Sequence, residues 1–94
     1  MKTTEILETA TKLVGGDRQN THGDKYENHK NIAILWNGYL DGKLVECLTP
    51  ENVAIMMALL KVARTKAGAH NEDDYVDAAA YMAIACDVHR DEDN

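Results

Sequence analysis

The stretch LTPENVAIMMALLKVARTKAG, residues 48–68, constrains the fold more than any other part of the chain. Thr49 is a favourable helix N-cap, Pro50 suits the first helical position, and Glu51 meets the positive end of the helix dipole. Apolar residues then recur on two sides of this helix: Val53, Met56, Met57, Leu60 and Ala63 on one side, and Ile55, Leu59 and Val62 on the other. A helix that is apolar nearly all round is buried from several directions. In a chain of 94 residues it is therefore central, or one of its sides is covered by another subunit.

Three further segments have helical periodicity. The first, TTEILETATKLVGG, has Thr3 or Thr4 as a cap and Gly15–Gly16 as a stop, with an apolar stripe of Ile6, Leu7, Ala10, Leu13 and Val14. The second ends at Asp41–Gly42 and carries Ile32, Leu35, Trp36, Tyr39 and Leu40. The fourth is NEDDYVDAAAYMAIACDVHR, with acids in its first turn. We predict an all-α fold, a compact bundle of about four helices in one domain, residues 1–94. The acidic tail from about residue 90 is expected to fray, and residues 43–48 stay unassigned.

The apolar residues are rich in alanine and include no phenylalanine, so a single chain would bury little area per residue. Small domains often compensate by oligomerisation. The small-residue run in DAAAYMAIA would let another helix approach closely. We therefore predict a homo-oligomer held partly by the third and fourth helices.

The formal net charge of −6 argues against broad binding to nucleic acid or to anionic lipid. Cys47 and Cys86 form no CxxC pair, and we interpret them as reduced thiols packed as small hydrophobic residues. The first residues lack a signal-peptide core, and no apolar run is long enough for a membrane span. These features predict a soluble, cytoplasmic protein.

A long polar segment, GGDRQNTHGDKYENHKN, occupies residues 15–31 between the first two helices. We expect it to run to about Tyr26–Asn28 before the second helix begins. A polar connection of this length is usually functional or disordered, and its mixture of charged and aromatic residues favours function. His22, Asp24, Glu27 and His29 could ligate a cation, but they match no known metal-binding spacing. We therefore favour backbone bonding and capping, with Asp24 as the helix cap, and predict no metal cofactor.

Lys61 and Arg64 share one side of the third helix, and Asp77 lies on an apolar stripe of the fourth with Tyr81, Ile84 and Val88. A buried carboxylate there needs a partner. One interpretation is a structural ion pair between the helices. The other is an anion site in which Arg18, Lys61 and Arg64 meet Trp36 or a tyrosine, with arginine gripping phosphate and the ring stacking a base. We predict that Lys61 pairs with Asp77 and that Arg64 reaches the ligand, although the two bases could exchange roles.

The order of these motifs resembles a family of small uncharacterised phage and prophage proteins. Members share an Asp-Arg followed by an aromatic-or-His-Gly, an Ala-x-Leu-Trp, a Lys-x-x-Arg and an Asp-x-x-x-Tyr, over nearly the whole chain. The resemblance implies a phage setting, in the cytoplasm of the host cell, and matches these positions: Asp17, Arg18, Gly23, Asp24, Asn28, Trp36, Lys61, Arg64, Asp77 and Tyr81. We assign the loop positions Asp17, Gly23, Asp24 and Asn28 to loop organisation. His22 stands where the family often has tyrosine, which argues against a catalytic histidine.

A weaker likeness connects Asp77 and Tyr81 to the MazG-type all-α nucleotide pyrophosphohydrolases, which bind magnesium through an acidic EExxE helix. This chain has IAILWNGYL at that place. We therefore favour binding of a nucleotide or another phosphorylated small molecule without turnover, which could sequester a signalling nucleotide of the host. The alternatives are a metal-dependent MazG-like hydrolase, which would require Mg²⁺, and a module that binds a host or phage protein.

Overall fold

The computed structural model describes residues 1–15 and 24–92. This part of the chain forms four α-helices and no strand: α1 (Thr3–Val14), α2 (Lys25–Tyr39), α3 (Pro50–Arg64) and α4 (Glu72–Glu92). The all-α class and the four-helix bundle predicted from the sequence are therefore confirmed. None of these helices is both long and apolar enough to cross a membrane.

The antiparallel pair of α3 and α4 forms the centre of the bundle, with α1 packed on α4 and α2 packed mainly on α3. Two ion pairs and one histidine–carboxylate hydrogen bond cross between α3 and α4. Glu51 and His89 meet near one end of the pair, and Lys61–Asp77 and Arg64–Asp74 meet near the other. The third helix is central, as in one of the two predicted alternatives, but Leu59, Leu60 and Val62 remain exposed on its outer side.

The buried core is made of small side chains. The largest fully buried residues are valines, and the remaining buried apolar residues are alanines: Val53, Val76, Val88, Ala10, Ala33, Ala54, Ala58, Ala80 and Ala85. On α3 this differs from the predicted stripes, because Met56 and Leu60 are exposed while Ala54 and Ala58 are buried. Small residues let α3 and α4 approach closely, and the larger apolar residues of α3 consequently lie on its outer sides.

Helix starts follow the predicted caps in two cases and depart from them in one. The Thr49 side chain accepts from the Asn52 amide, and the Asn52 side chain accepts from the Thr49 amide, which completes a capping box before Pro50. Asp24 caps α2 by accepting from the Glu27 amide at 2.9 Å. At α1 the cap is Lys2, which makes no side-chain cap bond, and Thr3 and Thr4 are already helical.

The boundaries of two other segments differ from expectation. Because Asp24 caps α2, the helix begins at Lys25, and Tyr26, Asn28 and His29 are helical instead of belonging to the polar loop. The fourth helix continues to Glu92, into the tail for which we predicted a frayed end. Residues 43–48 contain no strand, and the Asn37 side chain bonds both the amide and the carbonyl of Leu48. Cys47 and Cys86 are free thiols but exposed, so the prediction that they pack inside was wrong.

Candidate functional site

A cleft of about 180 Å³ lies where α1 ends against α3 and α4. The C-terminal end of α1 supplies its apolar side, α3 supplies one ammonium group, and α4 supplies one carboxylate and one phenol. The lining residues are Leu13, Val14, Lys61, Asp77, Ala80, Tyr81 and Ile84. One wall of this cleft is formed by Asp77, Tyr81 and Ile84, which we predicted to share one side of the fourth helix.

Lys61 and Asp77 form the charged centre of the cleft, with Nζ 3.1 Å from Oδ2. Both side chains are largely withdrawn from water, since 17% of Lys61 and 30% of Asp77 remain exposed. The structure thus shows the pairing that we favoured from the sequence. An ammonium group has three donors, so Lys61 can keep Asp77 and still donate to a second oxygen.

Arg64 and Trp36, predicted at the same ligand, lie elsewhere. The Arg64 guanidinium binds Asp74, with Nε 3.2 Å from Oδ1, because Asp74 lies one turn before Asp77 and is the more deeply buried acid. Trp36 lines a separate apolar groove with Tyr39, Leu40 and Met56. Three of the six predicted ligand residues, Lys61, Asp77 and Tyr81, are therefore brought together.

His29 on α2 makes an edge contact with Tyr81, with ring centroids 6.4 Å apart and planes at 71°. Its Nδ1 lies 2.8 Å from the carbonyl oxygen of Lys25. Because a carbonyl only accepts, Nδ1 carries a proton in this hydrogen bond. The other ring nitrogen, Nε2, is buried, and within the structure it has no hydrogen-bond partner among the described residues. A buried polar atom without a hydrogen-bond partner costs about 1–3 kcal/mol.

Lys25 connects α2 to the same region. Its Nζ donates to the carbonyl oxygen of Val14 at 3.4 Å, and Val14 itself lines the cleft. The end of α1 and the start of α2 therefore both lie beside the cleft. We predicted no role for Lys25, and we considered His29 only as a weak candidate metal ligand in the polar loop. The spacing of Lys25, His29 and Ala33 at successive intervals of four was the signal that one side of α2 faces inward.

The remaining candidates divide between other roles and the undescribed part of the chain. Asp24 caps α2, and Asn28 is half-buried in the first turns of that helix. Asp17, Arg18, His22 and Gly23 lie outside the described residues. Within residues 1–15 and 24–92 no three metal-binding side chains of the His, Cys, Asp and Glu types come together.

Comparison with known proteins identifies the family. Residues 5–89 match the family described as Domain of unknown function (DUF6378). The chain belongs to the DUF6378 family. It is also similar to the Gene 55 protein of Mycobacterium phage L5, with 46% identity over 79 residues that cover 84% of this chain and 49% of that protein. The Gene 55 protein of Mycobacterium phage D29 is 38% identical over 76 residues, or 81% of this chain and 48% of the relative.

This DUF6378 chain spans about half the length of the curated relatives that it matches. No solved structure matches it. The prediction of a family of small phage proteins is confirmed by these relatives, whereas the likeness to MazG-type enzymes finds no support among them.

Proposed function

We propose that this phage-family protein binds a nucleotide or a similar phosphorylated small molecule in the cleft between α1, α3 and α4, without turnover. The observation that supports this proposal is the meeting of Lys61, Asp77 and Tyr81 in one cleft. These groups offer one cation, one carboxylate acceptor and one aromatic ring.

The mixture of groups fits a nucleotide better than a bare phosphate. A carbonyl or hydroxyl oxygen of the ligand would accept from Lys61, while the Asp77 carboxylate can only accept and therefore suits a hydroxyl or amine donor on the same ligand. The ring of Tyr81 is able to stack a base. Inorganic phosphate would satisfy Lys61 but would meet the Asp77 carboxylate as a like charge.

The volume of the cleft limits how much of the ligand is enclosed. At about 180 Å³ it is smaller than the roughly 300–1,000 Å³ of pockets that enclose a whole drug-sized ligand. One end of the nucleotide would enter the cleft and the rest would lie outside it. Arg18 follows Val14 by four residues in the sequence, and we assign it to the exposed phosphate because its planar fork suits that group.

A thermal-shift series tests the proposal. The probes are inorganic phosphate, the common ribonucleoside monophosphates and the corresponding triphosphates, each with and without magnesium. At a ligand concentration of 100 times Kd, binding should add about 2.7 kcal/mol to the free energy of unfolding. For a chain of this size that raises the Tm by roughly 14 °C.

Lys61→Met should reduce this shift, since it removes a proposed ligand contact and puts an apolar side chain of similar length in its place. The matched control is Lys2→Met, at the opposite end of α1 from the cleft, which should bind like the wild type. If no anion stabilises the wild type under any of these conditions, the proposal is wrong. Equal shifts for Lys61→Met and Lys2→Met would show that binding occurs elsewhere.

A further inference from the structure

The ion pair of Lys61 and Asp77 uses only part of the hydrogen-bonding capacity of the two side chains. Lys61 donates to Asp77 Oδ2 at 3.1 Å, and an ammonium group carries three N–H donors. Among the residues that the structure describes, the other Lys61 donors and Asp77 Oδ1 have no hydrogen-bond partner. Because both side chains line the cleft, a ligand there meets a row of three groups: the ammonium donor, the Oδ2 acceptor and the Oδ1 acceptor.

The order of this row limits the chemistry of a ligand. A carboxylate oxygen only accepts and has two lone pairs, so the oxygens of Asp77 suit two neighbouring donors even after Oδ2 has accepted from Lys61. The Lys61 ammonium suits an acceptor beside those donors. The Watson–Crick edge of guanine carries such groups in the same order: the O6 acceptor, the N1–H donor and the 2-amino donor. In that arrangement O6 accepts from Lys61, N1–H donates to Oδ2, and the 2-amino group donates to Oδ1.

The other common bases match this row less completely. Adenine and cytosine carry one amino group beside a ring nitrogen that accepts, so they fill one carboxylate oxygen and leave the other without a donor. Uracil has one N–H between two carbonyl oxygens, and one of these oxygens would face Asp77 Oδ1 with no proton between them. Only 17% of Lys61 and 30% of Asp77 are exposed. A site with such desolvated polar groups discriminates strongly against a ligand that leaves one of them unpaired.

The walls of the cleft suit the two faces of a base. Tyr81 follows Asp77 by one helical turn, and its phenol ring is able to stack on a base that the carboxylate holds. The edge contact with His29 supports this ring, at a centroid distance of 6.4 Å. The remaining lining residues are apolar: Leu13, Val14, Ala80 and Ile84. A base in the cleft would therefore have hydrocarbon and an aromatic ring against its faces and the ion pair at its edge.

We propose that the cleft selects guanine and that its ligands are guanine nucleotides, a proposal that rests on the proposed function. Asp77 determines the specificity, because it bonds the two N–H donors that only guanine among the common bases presents side by side. Lys61 bonds O6 and keeps its contact with Asp77. The ribose and the phosphate lie outside the cleft, since its volume of about 180 Å³ is too small to enclose a whole nucleotide.

Isothermal titration calorimetry of the full chain with guanosine, inosine, adenosine, cytidine and uridine monophosphates tests this specificity. Inosine monophosphate is the matched ligand, because its base lacks only the 2-amino group of guanine. Guanosine monophosphate should bind about ten times more tightly than inosine monophosphate, since the latter loses a hydrogen bond to a charged group, and more tightly than the other three. Equal affinities for guanosine and inosine monophosphates, or tightest binding of another base, would overturn the guanine proposal and leave the proposed function standing. If no nucleotide binds, both proposals are wrong.

Asp77→Asn gives a second test, because it should reverse the specificity. The amide keeps one acceptor for Lys61 and N1–H but replaces the Oδ1 acceptor with a donor. Xanthosine monophosphate has a carbonyl oxygen in place of the 2-amino group, so the variant should bind it more tightly than guanosine monophosphate, whereas the wild type should have the opposite preference. Loss of a purely structural contact would not produce this reversal.

Asp87→Asn is the matched control, since Asp87 lies on the surface of the same helix, and it should keep the preference of the wild type. An Asp77→Asn variant that still prefers guanosine monophosphate would contradict the role of Asp77. If that variant does not fold, the comparison of guanosine with inosine monophosphate on the wild type decides alone.

Discussion

Replacing Arg64 with methionine should destabilise the protein through the acid that it leaves behind. The Asp74 side chain is only 7% exposed, and its carboxylate lies 3.2 Å from the Arg64 Nε. At an effective dielectric constant of 20, two unit charges at that separation attract by about 5 kcal/mol. Desolvation of the acid and the 55% exposure of the Arg64 side chain offset much of that attraction. We expect a net loss of roughly 2 kcal/mol in the free energy of unfolding, or roughly 10 °C in Tm.

Thermal unfolding at pH 7, followed by far-ultraviolet circular dichroism, measures this loss. Arg90→Met is the control, because Arg90 pairs with Asp87 on the surface of the same helix and its removal should change the Tm little. The double variant Arg64→Met/Asp74→Asn should recover much of the stability, since it removes the stranded charge while keeping the shape of the acid. A Tm for Arg64→Met equal to that of Arg90→Met would refute the view that Asp74 depends on Arg64.

Two other predictions concern loop residues and helix connections. Asp24→Ala should lower the free energy of unfolding by about 1 kcal/mol, because it removes the α2 cap. Arg18→Ala should leave the Tm unchanged while weakening nucleotide binding in the same thermal-shift series. If Asp24→Ala and Arg18→Ala have similar effects on both stability and binding, the assignment of Asp24 to the helix cap and of Arg18 to the ligand is wrong. Asn37→Ala should lower the free energy of unfolding by roughly 2 kcal/mol, because the Asn37 side-chain amide bonds both backbone groups of Leu48. Urea unfolding measures this loss, and an unchanged midpoint would show that other contacts hold the segment after α2.

Local chemistry in the sequence was sufficient to predict where α3 begins and what caps α2. Thr49, Pro50 and Asp24 act on backbone groups only two or three residues away, so their roles do not depend on the rest of the fold. The pairing of Lys61 with Asp77 was also accessible, because a half-buried acid on an apolar stripe requires a base within reach.

The sides of α3 could not be assigned from its pattern. Its apolar residues surround the helix, and periodicity alone does not say that α4 selects Ala54 and Ala58 while Met56 and Leu59 remain outside. The burial of His29 was missed because we assigned it to the polar loop, although the spacing of Lys25, His29 and Ala33 indicates an inward side of α2. Once Asp24 caps that helix, a residue expected in a polar loop becomes a buried member of its inner side.

The cross-helix pairs between α3 and α4 fix the register of the two helices. Lys61 and Arg64 are three residues apart, as are Asp77 and Asp74, so sliding one helix by a turn would leave one base and one acid without its partner. Glu51 and His89 restrain the same movement near the opposite end. If a ligand draws Lys61 away from Asp77, the Arg64–Asp74 pair therefore still holds α3 and α4 in register. Ligand binding in the cleft should therefore change the side-chain rotamers of Lys61 and Tyr81. It should not displace α3 relative to α4.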